Sequence, residues 1–164
     1  VLALEQVQKG NEALRARLNA SPTLTQDEID ALAKAKEKAM SVSCINNLKQ
    51  FGLAVRLWAT DNNDVFPPDS LSMSNELSTP KILVCRADTN RVVAKSWETY
   101  SPVNCSYEYL TPSSTNAESE PTRVLSRCPI HGHVGLCDGS VQSEIGKKHP
   151  DWFKERDGKL YLEQ

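Results

Sequence analysis

The sequence predicts an α+β protein in which one long N-terminal helix packs on a small antiparallel β-sheet. The first 60 of the 164 residues contain a single proline, Pro22, and carry apolar residues at helical spacing. In the remainder, prolines and turn residues separate short apolar runs that are typical of strands. Because the helical segment precedes the strands, we expect the sheet to cover one face of the helix.

Residues 1–24 are predicted to form a helical extension. Its narrow apolar face consists of Leu4, Val7, Leu14 and Leu18. Proline disfavours helical backbone at the residue before it, so Pro22 predicts a break or a sharp bend at residues 19–22. The second domain is then expected to span residues 25–164.

A long helix is predicted for residues 25–60. Thr25 and Glu28 have the spacing of a capping box, in which each side chain accepts a hydrogen bond from the backbone of the other residue. The apolar stripe that follows consists of Ile29, Leu32, Met40, Cys44, Leu48, Phe51, Val55 and Trp58. Large apolar side chains are concentrated after residue 44, so we expect the second half of the helix to pack on the rest of the domain.

Residues 61–164 are predicted to form the β-rich head. Strands are expected at residues 81–85, 106–110, 123–128, 133–137, 140–143 and 159–162, with a polar loop at residues 111–121. Asp138-Gly139 predicts a tight two-residue hairpin turn, since glycine accepts the positive φ that such a turn needs. Asp157-Gly158 predicts a second turn before the last strand.

Composition argues against two classes of function. The chain has 19 basic and 21 acidic residues and a net charge of −2, which argues against a nucleic-acid binder that relies on phosphate attraction. The sequence contains no run of about 18 apolar residues and no signal peptide, so it predicts no membrane span within these residues. No oxyanion site or orienting third group accompanies a Cys–His pair, and we therefore expect no enzymatic activity.

Two stretches contain residues of the types that bind metals. Cys128, His131 and His133 offer zinc ligands, but a second cysteine at compatible spacing is missing nearby. Asp61 and Asp64 offer oxygen ligands at the end of the long helix, without the alternating spacing, glycine and distal glutamate of a calcium loop. The sequence therefore predicts exposed histidines on a turn and a polar, helix-ending turn, and no metal site.

The five cysteines are an odd number for a disulfide framework. If the loop at residues 111–121 closes a hairpin that places Leu110 opposite Arg123, Cys105 lies opposite Cys128. The alternative is a Cys105–Cys137 pair, if the strand that ends at Cys137 lies beside the one that follows Cys105. Spacing alone does not choose between them.

Four motifs, in their order and spacing, resemble those of type II secretion pseudopilins. They are Ser-Cys-Ile-Asn-Asn-Leu-Lys-Gln at residues 43–50, Trp-Ala-Thr-Asp-Asn-Asn at residues 58–63, Thr-Pro-Lys-Ile-Leu-Val-Cys at residues 79–85 and Asp-Gly-Ser-Val-Gln at residues 138–142. The similarity covers residues 31–143. It is greatest to prepilin-like proteins with an N-terminal cleavage and methylation segment, which are abundant in planctomycete and verrucomicrobial bacteria.

The resemblance implies a structural subunit and a pilin-like head. Such proteins are anchored in the inner membrane by an apolar N-terminal helix and assemble, with other pseudopilins and secretion-system components, into a periplasmic filament that takes part in protein export. The anchor is absent from this sequence, and residues 1–24 fit either an insertion or an engineered segment. Some major pseudopilins bind calcium, but no matching loop is found here, so we expect no cofactor and keep calcium as the alternative. The alternative is a small extracytoplasmic binding module that depends on a metal or a glycan.

The resemblance also bears on the cysteines. Cys44 and Cys85 stand at the two positions where the similar proteins usually carry cysteine, which implies a Cys44–Cys85 disulfide between helix and head. The position of Cys137 usually carries alanine in those proteins. We therefore expect Cys137 to be the leftover free thiol.

Overall fold

The structure is a computed structural model that describes residues 2–19, 24–114 and 120–163. The helices are α1 (Leu2–Asn19), α2 (Gln26–Asp61) and α3 (Ile145–Lys148). The strands are β1 (Glu108–Tyr109), β2 (Val124–Arg127), β3 (Val134–Leu136), β4 (Val141–Gln142), β5 (Phe153–Arg156) and β6 (Lys159–Leu162). The predicted α+β class is confirmed: one long N-terminal helix precedes a small antiparallel sheet.

The chain divides into two compact units, Val1–Lys36 and Glu37–Gln164, with the boundary inside α2. The sequence predicts a domain boundary between residues 24 and 25, and this boundary stays a prediction. None of the helices in the described ranges is both long and apolar enough to span a bilayer. Of the predicted features, residues 20–22 of the helix break and residues 115–119 of the polar loop lie outside the described residues.

Helix α2 begins where the capping box predicts. The Thr25 N–H donates to Glu28 Oε2 at 2.8 Å, and the Glu28 N–H donates to Thr25 Oγ1 at 3.4 Å. Residues 26–39 are all exposed, whereas the buried face begins at Cys44. The buried residues are Cys44, Leu48, Phe51, Gly52, Ala54, Val55 and Ala59, a spacing that keeps them on one side of the helix.

The main sheet is antiparallel, with the strand order β1-β2-β3-β4. One face of it packs on α2 through Leu125 and Tyr109, and the rings of Tyr109 and Phe51 meet edge to face at 5.4 Å. Its register differs from the predicted one. Glu108 lies opposite Arg127, two residues beyond the expected partner, so Cys105 and Cys128 are not opposed.

The opposite face of the sheet is covered by the C-terminal part of the chain, which the sequence did not predict. The buried cluster on this side consists of Val124, Val134, Leu136, Ile145 and Leu162. Trp152, Phe153 and Leu160 pack against it at the edge. The β5–β6 hairpin and α3 thereby enclose the sheet from the side away from α2.

Both predicted turns are present, but one has a different length. In the β3–β4 hairpin the Leu136 N–H donates to the Ser140 carbonyl at 2.9 Å, which leaves a three-residue loop instead of the predicted two. Gly139 adopts a φ of 88°, as this loop type requires. The β5–β6 turn has the predicted two residues, Asp157 and Gly158, both with positive φ.

The segment predicted as a strand at residues 81–85 is instead a 3₁₀ helix, Pro80–Leu83, followed by extended backbone. Proline at the first helical position fixes a helical φ, and the Thr79 hydroxyl accepts a hydrogen bond from the Lys81 N–H. A short continuous apolar run does not by itself distinguish a strand from a buried helical turn. The Ser106 N–H donates to the Leu83 carbonyl at 2.9 Å and fastens this segment to the chain before β1.

Candidate metal centre

Four buried side chains with metal-ligating atoms converge inside the head: Cys44, Cys85, Cys128 and His131. Their sulfur and nitrogen atoms all lie within 4.8 Å of one another. The shortest separation that involves the imidazole is 3.2 Å, between Cys85 Sγ and His131 Nδ1, and Cys128 Sγ lies 3.9 Å from the same nitrogen. Within the described part of the chain, this is the one group of histidine, cysteine or acidic side chains close enough to hold a metal ion.

The four ligand atoms come from three segments that are distant in sequence. Cys44 is the first buried residue of α2. Cys85 lies two residues after the 3₁₀ helix Pro80–Leu83, whereas Cys128 and His131 both lie in the connection between β2 and β3. The cluster therefore joins the helix, the segment before β1 and the sheet at one point.

The connection between β2 and β3 holds Cys128 and His131 in a compact Cys-x-x-His turn. The Gly132 N–H donates to the Cys128 carbonyl at 2.8 Å, and the Cys128 N–H donates to the His133 carbonyl at 2.8 Å. The His131 N–H points at Cys128 Sγ at 3.5 Å. Gly132 has a φ of 72°, and a Cβ there would lie 2.9 Å from the backbone nitrogen of Lys147. Glycine is thus required both by the turn and by the close approach of α3.

Apolar and hydrogen-bonded neighbours close the cluster from solvent. Leu48 and Tyr107 are buried against the three cysteines. Asn47, on the same face of α2, donates through Nδ2 to the Val84 carbonyl at 3.3 Å and to the Tyr107 hydroxyl at 3.2 Å. These two hydrogen bonds fix the backbone beside Cys85 relative to the helix that carries Cys44.

The thiols interact strongly with one another. Hydrogen bonds from the thiols of Cys44 and Cys85 hold the pKa of Cys128 well below its usual range. The hydrogen bond to Cys128 raises the pKa of Cys44, and the same interaction raises that of Cys85. A cation among the three sulfurs would favour the ionised form of each thiol.

The other metal-ligand candidates lie elsewhere. His133 is buried, but its Nδ1 accepts from the Glu144 N–H at 2.9 Å and its Nε2 lies 2.9 Å from Ser41 Oγ, so both ring nitrogens are engaged. Its ring stacks on that of His131 at 5.2 Å, and burial lowers the pKa of His133. Asp61 and Asp64 are exposed at the end of α2, apart from the cluster.

All five cysteines are free thiols in the structure. No disulfide joins Cys44 and Cys85 in the structure, and the ligand atoms of both lie within 4.8 Å of those of Cys128 and His131. The register of β1 and β2 separates Cys105 from Cys128, and the Cys105 thiol donates to the Tyr107 carbonyl at 3.3 Å. Cys137 lies in the larger core around Phe51, where burial raises its pKa to about 11.

A second surface of interest is the outward face of α2. Val42, Leu53 and Leu57 are 50%, 58% and 49% exposed and lie on the side of the helix opposite Cys44, Phe51 and Val55. Arg56, beside them, donates to the Asp138 carbonyl at 2.8 Å and fixes the β3–β4 turn to the helix. The outward side of α2 therefore carries three exposed apolar residues, with the polar residues Asn46 and Lys49 between Val42 and Leu53.

Sequence reasoning found all four cluster residues but assigned them to different roles. The sequence predicts His131 and His133 as exposed residues on a turn with no metal, and the resemblance implies a Cys44–Cys85 disulfide. The exposure is wrong: both histidines are buried, because the turn packs on α2 at Ser41 and on α3 at Lys147. A Cys-x-x-His pair needs only two further ligands to complete a zinc site, and these two need not be near it in sequence. The search for a second cysteine close to Cys128 therefore overlooked Cys44 and Cys85. Three thiol sulfurs and one imidazole nitrogen form a soft donor set of the kind found in structural zinc sites.

Comparison with known proteins gives no relative for the chain. No family model matches it, and neither the curated proteins nor the solved structures contain a significant match.

Proposed function

We propose that this chain is a structural subunit of a type II secretion pseudopilus or of a related pilus, which acts by helix-mediated assembly and by contacts of its head. The observation that carries the proposal is the two-sided second half of α2. Its inner side is buried against the head from Cys44 to Ala59. Its outer side presents Val42, Leu53 and Leu57 to solvent.

Exposed apolar residues on one side of a helix whose other side is buried against the head suit packing against other helices. Single exposed leucines are common on monomers, but residues that recur on one face of one helix can interdigitate with an equivalent face. Residues 26–39 of α2 are exposed as well, and within them alanine recurs among lysine and glutamate from residue 31 to residue 39. Such a surface has small residues at which a second helix can approach closely.

The localisation and partners in this proposal rest on the resemblance over residues 31–143. The full-length protein is placed in the periplasm, anchored in the inner membrane by a helix encoded before Val1. Its partners are other pseudopilins and secretion-system components. No enzymatic activity is proposed.

Sequencing the gene upstream of the Val1 codon tests the anchor directly. We expect a prepilin-peptidase cleavage site of the Gly-Phe type, followed by an apolar helix of about 20 residues. An upstream frame that encodes a secretory signal peptide, or a start codon directly before Val1, would contradict the proposal.

A charge on the outer face of α2 tests assembly. We expect Leu53→Glu in the full-length protein to reduce co-purification with the neighbouring pseudopilin subunits from detergent extracts at least tenfold, with little change in thermal stability. Val92→Glu is the matched control, because Val92 is 77% exposed and lies outside α2. Equal co-purification of wild type and Leu53→Glu would count against helix-mediated assembly.

The alternative, a binding module that depends on a metal or a glycan, is less well supported. A metal that takes part in ligand binding needs an open coordination position. In the described part of the chain, the group that can hold a metal supplies four protein ligands, and all four are buried.

A further inference from the structure

We propose that Cys44, Cys85, Cys128 and His131 together bind one zinc ion in a closed, structural site that fastens α2 to the head. The proposal rests on the cluster alone and is independent of the assembly function. It assigns a metal to a region where the sequence predicted a disulfide and an exposed turn.

The distances suit a tetrahedral zinc ion after a small contraction. Zinc–sulfur bonds of about 2.3 Å and zinc–nitrogen bonds of about 2.0–2.1 Å place the ligand atoms of a tetrahedron roughly 3.5–3.8 Å apart. The ligand atoms here lie within 4.8 Å of one another, and those nearest the imidazole lie 3.2 and 3.9 Å from Nδ1. Shifts of about 1 Å in the ligand atoms therefore complete the geometry, and rotation of the side chains can supply shifts of this size.

The chemistry of the donors favours zinc over the hard cations. Three sulfurs and one imidazole nitrogen are soft or borderline ligands, whereas calcium and magnesium require oxygen ligands. The described residues place no carboxylate in the group. Three thiolates and a neutral imidazole around a divalent ion would leave one net negative charge, which is less charge to bury than three thiolates carry alone.

Burial indicates a structural site rather than a catalytic one. Four protein ligands fill a tetrahedral coordination sphere, and all four residues are buried. Leu48 and Tyr107 pack around them, and the hydrogen bonds of Asn47 hold Val84 and Tyr107 in place. Solvent or substrate therefore has no free position on the ion.

The position of the ligands shows what the ion would do. Cys44 stands at the first buried turn of α2, and the other ligands lie in two segments of the head that are about 40 residues apart in sequence. One ion thus closes two long loops at once, which reduces the entropy of the unfolded chain as a disulfide does. It holds α2 to the head at the end of the buried face where apolar packing is smallest.

Elemental analysis and cobalt substitution of the 164-residue chain test the proposal. We expect about one zinc per chain after purification, and tetrahedral thiolate–cobalt absorption when Co²⁺ replaces it. Cys44→Ser and Cys128→Ser are expected to weaken zinc binding more than about 100-fold, since the loss of outer-shell partners alone costs 10–100-fold. Cys105→Ser and Cys137→Ala, which change cysteines outside the cluster, are the matched controls and should keep one zinc.

A pair of substitutions at His131 separates ligation from folding. His131→Asn resembles histidine in shape but lacks the ring nitrogen, and it is expected to lose the ion. His131→Cys supplies a fourth thiolate and is expected to retain one zinc, with a shifted cobalt spectrum. Retention of zinc by Cys44→Ser and Cys128→Ser, no binding of added Zn²⁺ or Co²⁺ by the wild type, iron in place of zinc, or a Cys44–Cys85 disulfide in protein isolated without reductant would each overturn the proposal.

Discussion

Two buried clusters hold the same helix to the head, and they differ in composition. The larger cluster is built from big apolar side chains, among them Phe51, Val55, Phe66, Met73, Leu77 and Leu83. The smaller cluster, one to two turns earlier along α2, consists of Leu48, Tyr107 and three cysteines. One end of the buried face of α2 thus packs mainly through large apolar side chains, and the other end mainly through cysteines, which are of a metal-ligating type.

The difference follows from the side chains that are available. Burial of a large apolar side chain contributes about 1.5–3 kcal/mol, so the larger cluster stabilises itself. A thiol is small, so the smaller cluster buries less apolar area for each residue and gains less from packing alone. We infer that zinc binding stabilises the smaller cluster, as the burial of apolar area stabilises the larger one. The predictions below test this division, beginning with the largest effect.

The largest effect is expected in the apolar cluster. Phe51→Ala removes a ring that is fully buried and contacts Tyr109, and should lower the free energy of unfolding by about 3–5 kcal/mol. Urea unfolding followed by circular dichroism measures this change. Leu57→Ala, on the exposed side of α2, should stay within about 0.5 kcal/mol of wild type. Loss of zinc from the folded Phe51→Ala variant would show that the two clusters are not independent.

Removal of the metal should act on the other cluster. At a free zinc concentration 100 times the dissociation constant, binding stabilises the folded chain by about 2.7 kcal/mol, and a chelator abolishes this contribution. Hydrogen exchange should then increase around Cys44 and in the turn from Cys128 to Gly132 more than around Val55. Uniform loss of protection along the buried face of α2 would show that the two ends do not differ.

The sequence predicted the fold better than the site for a physical reason. Helical periodicity, the Thr25–Glu28 capping box and the two Asp-Gly turns are local signals, and each of them predicted its element. The register of β1 with β2 depends on how the loop at residues 111–121 closes, which is not local, and the prediction was wrong by two residues. The 3₁₀ helix at Pro80 was missed because a short apolar run has no period.

The metal cluster could not be assembled from spacing alone. Its local signal, Cys128-x-x-His131, was recognised, but the other two ligands come from α2 and from the segment after Pro80–Leu83. Only the packing of three segments brings them together. The resemblance implies a pair of Cys44 and Cys85, and the two residues are neighbours in the structure, where both are free thiols.

A smaller effect is expected in the turn that carries two of the ligands. Gly132→Ala places a Cβ 2.9 Å from the Lys147 nitrogen at a φ of 72°, and should cost about 1–3 kcal/mol. Gly158→Ala is the matched control, since Gly158 has a φ of 69° with open space around it. The difference in thermal stability between the two variants measures the cost of the contact between the added Cβ at residue 132 and α3. Weaker zinc binding is expected for Gly132→Ala alone, and equal effects of both substitutions would contradict this account.

The smallest effect is expected at Glu120, a partly exposed carboxylate that contacts strand β6. Glu120 accepts hydrogen bonds from the Tyr161 hydroxyl at 2.6 Å and from Lys159 Nζ at 3.1 Å, and forms an ion pair with Arg123. These partners, Tyr161 foremost, lower the pKa of Glu120 below 4.5. The site is in contact with solvent, so Glu120→Gln should cost no more than about 1 kcal/mol at neutral pH.

The lowered pKa of Glu120 also predicts how its contribution to stability changes with pH. The pKa of Glu120 is lower in the folded than in the unfolded chain, so its contribution is complete above about pH 4.5 and is lost as the pH falls through the folded value. The difference in unfolding free energy between wild type and Glu120→Gln should therefore vanish in acid. Zinc is released from both proteins at low pH, and taking the difference removes that effect. A difference that persists below the folded pKa would mean that Glu120 acts by packing and not by charge.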